Sequence, residues 1–189
     1  MKLKDYYLHG TAGIYGKYYK LHTILLVLKD QELRTRKSMG DDAPNPFFNN
    51  DEICLCDPRI KLNYFNKDKF FSAYKVFIER APSLVLRRDL EVFRPEIITK
   101  KDKEYIGSSN MYDEVRHKGN IPMSYLEAIT YPISTEEDTD KLDTFGDQIL
   151  YIENRYPNIP LIDLSTGEPI DLETVKKRKE KVYQKKYYS

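Results

Sequence analysis

Apolar side chains occur only in short runs in this chain, and this brevity limits every element that it can form. The longest unbroken aliphatic run is ILLVL at positions 24–28, far below the roughly 20 apolar residues that a membrane-spanning helix requires. Apolar residues nevertheless make up 40% of the 189 positions, more than disordered chains carry. The first ten residues lack the apolar stretch of a secretory signal. We therefore expect a soluble, cytoplasmic protein with short elements around one core.

The hydrophobic period changes several times along the chain. Alternating apolar and polar residues predict strands at 2–9, 52–57, 83–87, 90–93, 111–117, 128–133 and 161–164. The turn at 88–89 would join 83–87 and 90–93 as a hairpin. Helical spacing predicts helices around 21–28, over 68–80, from a capping box at Ser134 and Glu137 to 152, and from a cap at Asp171 onwards. Because the strands cluster rather than alternate with helices, the predicted class is α+β.

Charge is balanced over the whole chain but not along it. The formal net charge is +1, so the protein lacks a long-range field that would attract a polyanion. Residues 174–189, however, hold seven basic residues and one acid. Such a basic tail either contacts nucleic acid or an acidic partner, or forms a solvated terminal helix.

Several kinds of site are excluded by what the sequence lacks. Cys54 and Cys56 would project from one face of a strand, which does not suit a mutual disulfide, and His9, His22 and His117 show no zinc-ligand spacing with them. We therefore expect two reduced thiols and no metal site. The chain also has no phosphate loop, dinucleotide fingerprint, nucleophile elbow or His-Glu-x-x-His pair.

Two segments remain that carry a recognisable chemical pattern. The first is LHGT at 8–11, at the end of a predicted strand, and the second is MYDEVR at 111–116 followed by GNIPMSYLEAI at 119–129. Together they resemble the ADP-ribosyltransferase superfamily, in which a first strand carries His, a small residue and Thr, and a late strand carries a catalytic Glu. The second segment looks most like the DarT and RNA phosphotransferase branch. There the Glu strand is followed by a turn, an Ile-Pro or Val-Pro pair, a short helix and an aliphatic strand.

The resemblance implies both a fold and an organisation. It implies a compact split-sheet transferase-like core over residues 1–133. Residues 134–189 would form a helical extension with the basic tail, packed on the core as a single domain.

The resemblance also implies an NAD-dependent ADP-ribosyltransferase, a glycosyltransferase with NAD as co-substrate. Glu114 would be the catalytic residue, holding a ribose hydroxyl and stabilising the oxocarbenium-like centre that forms when nicotinamide leaves. The implied cofactor-binding residues are His9, Gly10, Thr11, Arg36 and Tyr74. His9 would bind a ribose hydroxyl and the Gly10 backbone the carboxamide. Tyr74 would stack on nicotinamide, and Arg36 would contact the pyrophosphate.

One departure from the family's motif limits which group is expected to accept the ADP-ribose. Arginine-modifying relatives carry Glu two positions before the catalytic Glu, and asparagine or glutamine modifiers carry Gln, whereas this chain has Tyr112. Protein arginine is therefore not the expected acceptor. The resemblance favours a nucleic-acid or other macromolecular acceptor, and it suggests a toxin or an anti-defence effector.

Structural roles remain open for the same residues. His9 also suits a strand end, Glu114 an outward strand position, Tyr74 a helical core stripe, and Arg36 a solvated helix end. The alternative function is a non-enzymatic nucleic-acid- or protein-binding module with a degenerate transferase-like fold. A structural or regulatory protein that binds only other proteins is a third hypothesis.

Overall fold

The computed structural model describes residues 1–11, 22–41, 49–61, 71–95, 111–133 and 139–188. Within these ranges the strands are β1 (Tyr7–Gly10), β2 (Glu32–Leu33), β3 (Glu52–Cys56), β4 (Ser83–Leu86), β5 (Glu114–Lys118), β6 (Ile121–Pro122), β7 (Leu126–Tyr131) and β8 (Leu161–Asp163). The α-helices there are α1 (His22–Asp30), α2 (Thr139–Arg155) and α3 (Leu172–Tyr188). Short 3-10 turns and one π-helical turn, Tyr74–Ile78, complete the described elements.

The main sheet has the strand order β5-β3-β1-β4-β7-β8, and β2 pairs with β6 in a second, smaller sheet. Every pairing in the main sheet is antiparallel except that of β7 with β8, among the described residues. The protein is thus a mixed α/β fold with a mostly antiparallel sheet, which confirms the α+β class. Because β8 follows residue 133, the C-terminal segment contributes a strand to this sheet as well as helices.

The two faces of the main sheet pack against different elements. We call the first the helical face, because its side chains share one apolar cluster with residues of α1 and α2; it includes Tyr7, Leu55, Leu84 and Ile129. We call the second the π-turn face, because it packs against Ala73 and Ile78 of the π-helical segment; it includes Leu8, Cys56, Val85 and Ala128. Both faces are buried. Successive residues of a strand point to opposite faces, so the position of a residue along its strand (its parity) decides which face it lies on.

The predicted hairpin of 83–87 and 90–93 is wrong. β4 already has β1 on one side and β7 on the other, so no edge remains for a hairpin partner. Phe93 instead pairs with Arg116 of β5 through two backbone hydrogen bonds of 2.9 and 2.8 Å. The chain therefore turns at 88–89 and crosses to the opposite edge of the sheet.

The predicted helices agree with the structure to different degrees. The Asp171 cap of α3 is confirmed, because its carboxylate accepts hydrogen bonds from the Glu173 and Thr174 amides at 3.0 and 3.3 Å. The segment at 68–80 contributes the π-helical turn rather than a regular helix, with 62–70 outside the described residues. The capping box at 134–137 also lies outside them. No helix in the described ranges combines the length and apolarity needed to cross a bilayer.

Gly10 occupies a position that an added side chain would disturb. A Cβ there would lie 2.7 Å from the Cβ of Phe77 and 3.0 Å from its carbonyl oxygen. We expect Gly10→Ala to lower the free energy of unfolding by about 1 to 3 kcal/mol, because the backbone of the π-helical turn must move. Urea denaturation measures this loss.

Gly146→Ala is the matched control for Gly10→Ala. Its Cβ would meet the flexible side chain of Lys179 at 2.9 Å. Alanine also favours a helix over glycine by about 1 kcal/mol. Equal losses of stability in the two variants would contradict the close packing inferred at Gly10.

Candidate functional site

The structure places the strands of His9 and Glu114 close together, but the two side chains lie on opposite faces of the sheet. β3 lies between β1 and β5, so the two strands are about 10 Å apart. Leu8 pairs with Cys56, and Cys56 pairs with Glu114, which puts these three side chains in one row on the π-turn face. His9 follows Leu8 and pairs with Leu84, so it lies on the helical face. The sheet therefore separates the imidazole from the carboxylate that the resemblance implies in one cleft.

His9 has a structural hydrogen bond in this position. Its Nδ1 lies 2.9 Å from the Cys54 carbonyl oxygen, which ties β1 to β3. Burial lowers the pKa of His9, although the bond to the Cys54 carbonyl opposes this shift. The residue is therefore neutral at physiological pH and suits the strand-end role left open above.

Glu114 belongs to a buried cluster of three charged side chains, which we call the Glu-Arg-Glu cluster (Glu52, Arg116 and Glu114). Arg116 Nε donates to Glu114 Oε1 at 2.7 Å, and Arg116 Nη1 donates to Glu52 Oε2 at 2.9 Å. Arg116 is only 1% exposed, and each glutamate is 8% exposed. Burial disfavours the charged guanidinium, but Glu114 and Glu52 more than offset this and raise the pKa of Arg116. The cluster thus holds two carboxylates at fixed positions on the π-turn face.

Glu52 and Arg116 are not among the residues that the sequence motifs predict for the site, although the alternation of charged residues in β3 and β5 points to them. In β3 and β5 the charged residues share one parity, so Glu52, Glu114 and Arg116 project from one face together with Cys54. Charged residues at alternate positions of an otherwise apolar strand indicate a buried polar cluster when both faces are covered. That coverage is a tertiary feature, which the sequence pattern alone does not reveal.

Asp113 fastens the π-helical segment beside Glu114. Its carboxylate accepts hydrogen bonds from Ser72 Oγ at 2.7 Å, the Ala73 amide at 2.5 Å and the Tyr74 amide at 3.1 Å. Asp113 is 2% exposed. Because Asp113 immediately precedes β5, these bonds bring half-buried Tyr74 to the same face as Glu114. Tyr74 and Glu114 therefore share the π-turn face, and the stacking role that the resemblance implies for Tyr74 stays a prediction.

Gly10 and Thr11 lie at the end of β1. Gly10 pairs with Ser83 and has the π-turn face parity, so it shares that face with Glu114 and Tyr74. Thr11 Oγ1 donates to the Pro82 carbonyl at 2.6 Å. This bond fixes Thr11 to the chain entering β4, which is a structural role.

Arg36 lies near the turn before β3. Its Nη2 forms an ion pair with Asp41 at 2.8 Å. The neighbouring Lys37 amide donates to the Asn50 carbonyl just before β3, at the end of that strand away from Glu114. The implied pyrophosphate contact of Arg36 therefore stays a prediction, with the side chain already paired.

The two thiols lie on β3, the strand that pairs with the strand of Glu114. Cys54 and Cys56 are both free cysteines on the π-turn face, as the sequence predicts. Burial raises the pKa of Cys54, and the negative charge of Glu114 raises it further. Burial likewise raises the pKa of Cys56, with Asp113 adding to the shift. Both thiols are therefore protonated and unsuited to nucleophilic chemistry.

Comparison with other proteins identifies no matching family, no matching curated protein and no matching solved structure. The chemistry of the site follows from its own residues. A buried carboxylate, an aromatic ring and a close-packed glycine share one face of the sheet. Such a set offers a fixed carboxylate that can accept a hydrogen bond and stabilise a neighbouring positive charge.

Proposed function

We propose that the protein is an NAD-dependent ADP-ribosyltransferase in which Glu114 acts on the nicotinamide ribose. One observation carries the proposal. The Glu114 carboxylate, which the sequence resemblance implies as catalytic, is buried, is held by Arg116 at 2.7 Å, and shares the π-turn face with Tyr74 and Gly10. A fixed carboxylate in a water-poor setting is what an oxocarbenium-like transition state requires.

The residues of the π-turn face fit NAD in part. Glu114 offers an oxygen acceptor for a ribose hydroxyl, and Tyr74 offers a ring to stack on nicotinamide. His9 does not fit as a ribose ligand beside them, because it lies on the opposite face. In this proposal His9 anchors β1 to β3, and the dinucleotide contacts belong to the π-turn face. When bound, NAD supplies the positively charged nicotinamide leaving group and the ADP-ribosyl group that is transferred.

The finer fold and the acceptor belong to the same proposal. β1, β3 and β5 would be the strands of a transferase-like core that carry the site. The acceptor would be a nucleic acid or another macromolecule, in line with Tyr112 standing where protein-modifying relatives carry Glu or Gln.

Two measurements on the unmodified protein test the proposed function. NAD is expected to raise the melting temperature in a concentration-dependent manner, because a ligand selective for the folded state stabilises it. Water takes the ADP-ribosyl group when no macromolecular acceptor is supplied, so NAD labelled in the nicotinamide ring is expected to release free nicotinamide with multiple turnovers. A protein that shows neither effect at saturating NAD would exclude the transferase.

A second candidate function is supported by α3. Lys177 and Lys181 are exposed, whereas Val175 is buried in the core. The helix is therefore anchored at one end and presents a basic surface to solvent. This arrangement also suits a binding module for a polyanion, without catalysis.

Charge reversal tests the second candidate more cleanly than deletion of the tail, since deletion would also remove buried Val175. Lys177→Glu combined with Lys181→Glu should abolish retention on heparin or single-stranded DNA. Retention by the unmodified protein should fall steeply with salt. Binding of this kind without any NAD turnover would favour the module over the enzyme.

A further inference from the structure

We infer that Arg116 is the positioning residue for Glu114 in the proposed transferase reaction, and that Glu52 holds Arg116 in place. This inference rests on the proposed function. It assigns a role to two buried charged residues that neither the sequence motif nor the proposed NAD contacts explain.

The contacts of Arg116 fix both the place and the plane of its guanidinium group. Two different nitrogens are used, Nε for Glu114 at 2.7 Å and Nη1 for Glu52 at 2.9 Å. Glu114 lies two residues before Arg116 on β5, and Glu52 lies on the neighbouring strand β3. Because a planar guanidinium with partners on two edges cannot rotate freely, the Glu114 carboxylate is held in one orientation.

Glu52 is itself fixed, so it can serve as an anchor. Its Oε1 accepts a hydrogen bond from Asn49 Nδ2 at 2.7 Å, while its Oε2 accepts from Arg116. A continuous chain of polar contacts therefore runs from the turn before β3, through Glu52 and Arg116, to Glu114. Asn49 is exposed, but Glu52, Arg116 and Glu114 are buried, so water competes weakly for the contacts inside the cluster.

The backbone of Arg116 is held on both sides of its strand. On the inner side it pairs with Cys54 of β3. On the outer side its amide and carbonyl pair with those of Phe93 at 2.8 and 2.9 Å. The side chain is thus carried by a strand segment that cannot shift without breaking hydrogen bonds to both neighbours.

Stability alone is a poor explanation for such a cluster. Removing three charges from water costs free energy that their mutual attraction offsets only in part, and apolar residues in the same space are often at least as stable. The distinctive effect of the cluster is to hold the Glu114 carboxylate in one orientation in a buried setting. A fixed orientation is what a carboxylate that acts on a bound substrate requires.

Steady-state kinetics of nicotinamide release test the inference with Arg116→Lys, Arg116→Gln and Glu52→Gln. Arg116→Lys keeps a positive charge but loses the two-edged contact, so kcat should fall by up to about 100-fold with little change in the KM for NAD. Arg116→Gln removes the positive charge as well, so its kcat should fall at least as far, again with little change in the KM for NAD. Glu52→Gln should lower kcat less, since its amide oxygen still accepts from Nη1.

Arg88→Lys is the matched control for the Arg116 variants. Arg88 also forms a two-nitrogen ion pair, with Asp57 at 2.7 Å for both contacts, but it lies outside the cluster. It should lose stability without any change in kcat or in the KM for NAD. A merely structural role for Arg116 would make its variants behave like Arg88→Lys.

The outcomes separate this inference from the proposed function. Unmodified protein without NAD turnover would overturn both. Turnover that depends on Glu114 but keeps its kcat in the Arg116 variants would overturn only the role of Arg116. If the Arg116 variants do not fold, Glu52→Gln decides the matter, and an unchanged kcat in that variant would overturn the inference.

Discussion

Glu114→Gln is expected to lower kcat for nicotinamide release by about 100- to 1,000-fold, which is typical when one preorganised electrostatic contact to a transition state is lost. The amide has nearly the same shape as the carboxylate and still offers Arg116 an oxygen acceptor. It cannot supply the negative charge that stabilises the oxocarbenium-like centre. Initial rates with labelled NAD measure the loss, and circular dichroism confirms that the variant is folded.

Glu91→Gln is the matched control for this change. It makes the same chemical substitution at an exposed residue outside the Glu-Arg-Glu cluster, so its kcat should equal that of the unmodified protein. Full activity in Glu114→Gln would remove Glu114 from the reaction. Equal losses in both variants would point to a general effect of lost charge rather than to catalysis.

Asp113→Ala is expected to cause the largest loss of stability among single substitutions in the site, about 3 to 5 kcal/mol, because each buried donor left unpaired costs about 1 to 3 kcal/mol. Asp113 accepts from the Ser72 hydroxyl and from the amides of Ala73 and Tyr74. Without it the π-helical segment loses its attachment to the residue that precedes β5. Chemical denaturation of both proteins gives the difference in free energy of unfolding.

The control for Asp113→Ala is Asp89→Ala. Asp89 pairs with Arg87 at the surface, and exposed ion pairs contribute little to stability. The midpoint of unfolding should therefore stay where it is in the unmodified protein. A small effect of Asp113→Ala, similar to that of Asp89→Ala, would show that the π-helical turn is held by other contacts.

Local sequence patterns predict the strands of the site because the alternation of side chains along a strand is visible in that strand's own residues. β3 and β5 follow from alternating residues at 52–57 and 111–117, and the cap of α3 follows from Asp171. The position of both free thiols on one face follows from the spacing of Cys54 and Cys56. These features depend only on neighbours in the sequence, so no knowledge of the fold is needed to expect them.

The predictions that differ from the structure concern how the strands and helices are arranged in space. The face on which His9 lies depends on the register of β1 against β3 and β4, and a shift of one residue would reverse it. The predicted hairpin at 83–93 is wrong because β4 pairs with β1 on one side and with β7 on the other. The residues of the turn do not indicate these pairings. The Glu-Arg-Glu cluster likewise forms only when β3 and β5 become neighbours and both faces are covered.

A crystal structure of the protein with a non-hydrolysable NAD analogue tests the central claim most directly. The account predicts the nicotinamide ribose on the π-turn face, with one hydroxyl within hydrogen-bonding distance of the Glu114 carboxylate and the nicotinamide ring against Tyr74. An analogue bound on the helical face beside His9, or no bound analogue at saturating concentration, would contradict it.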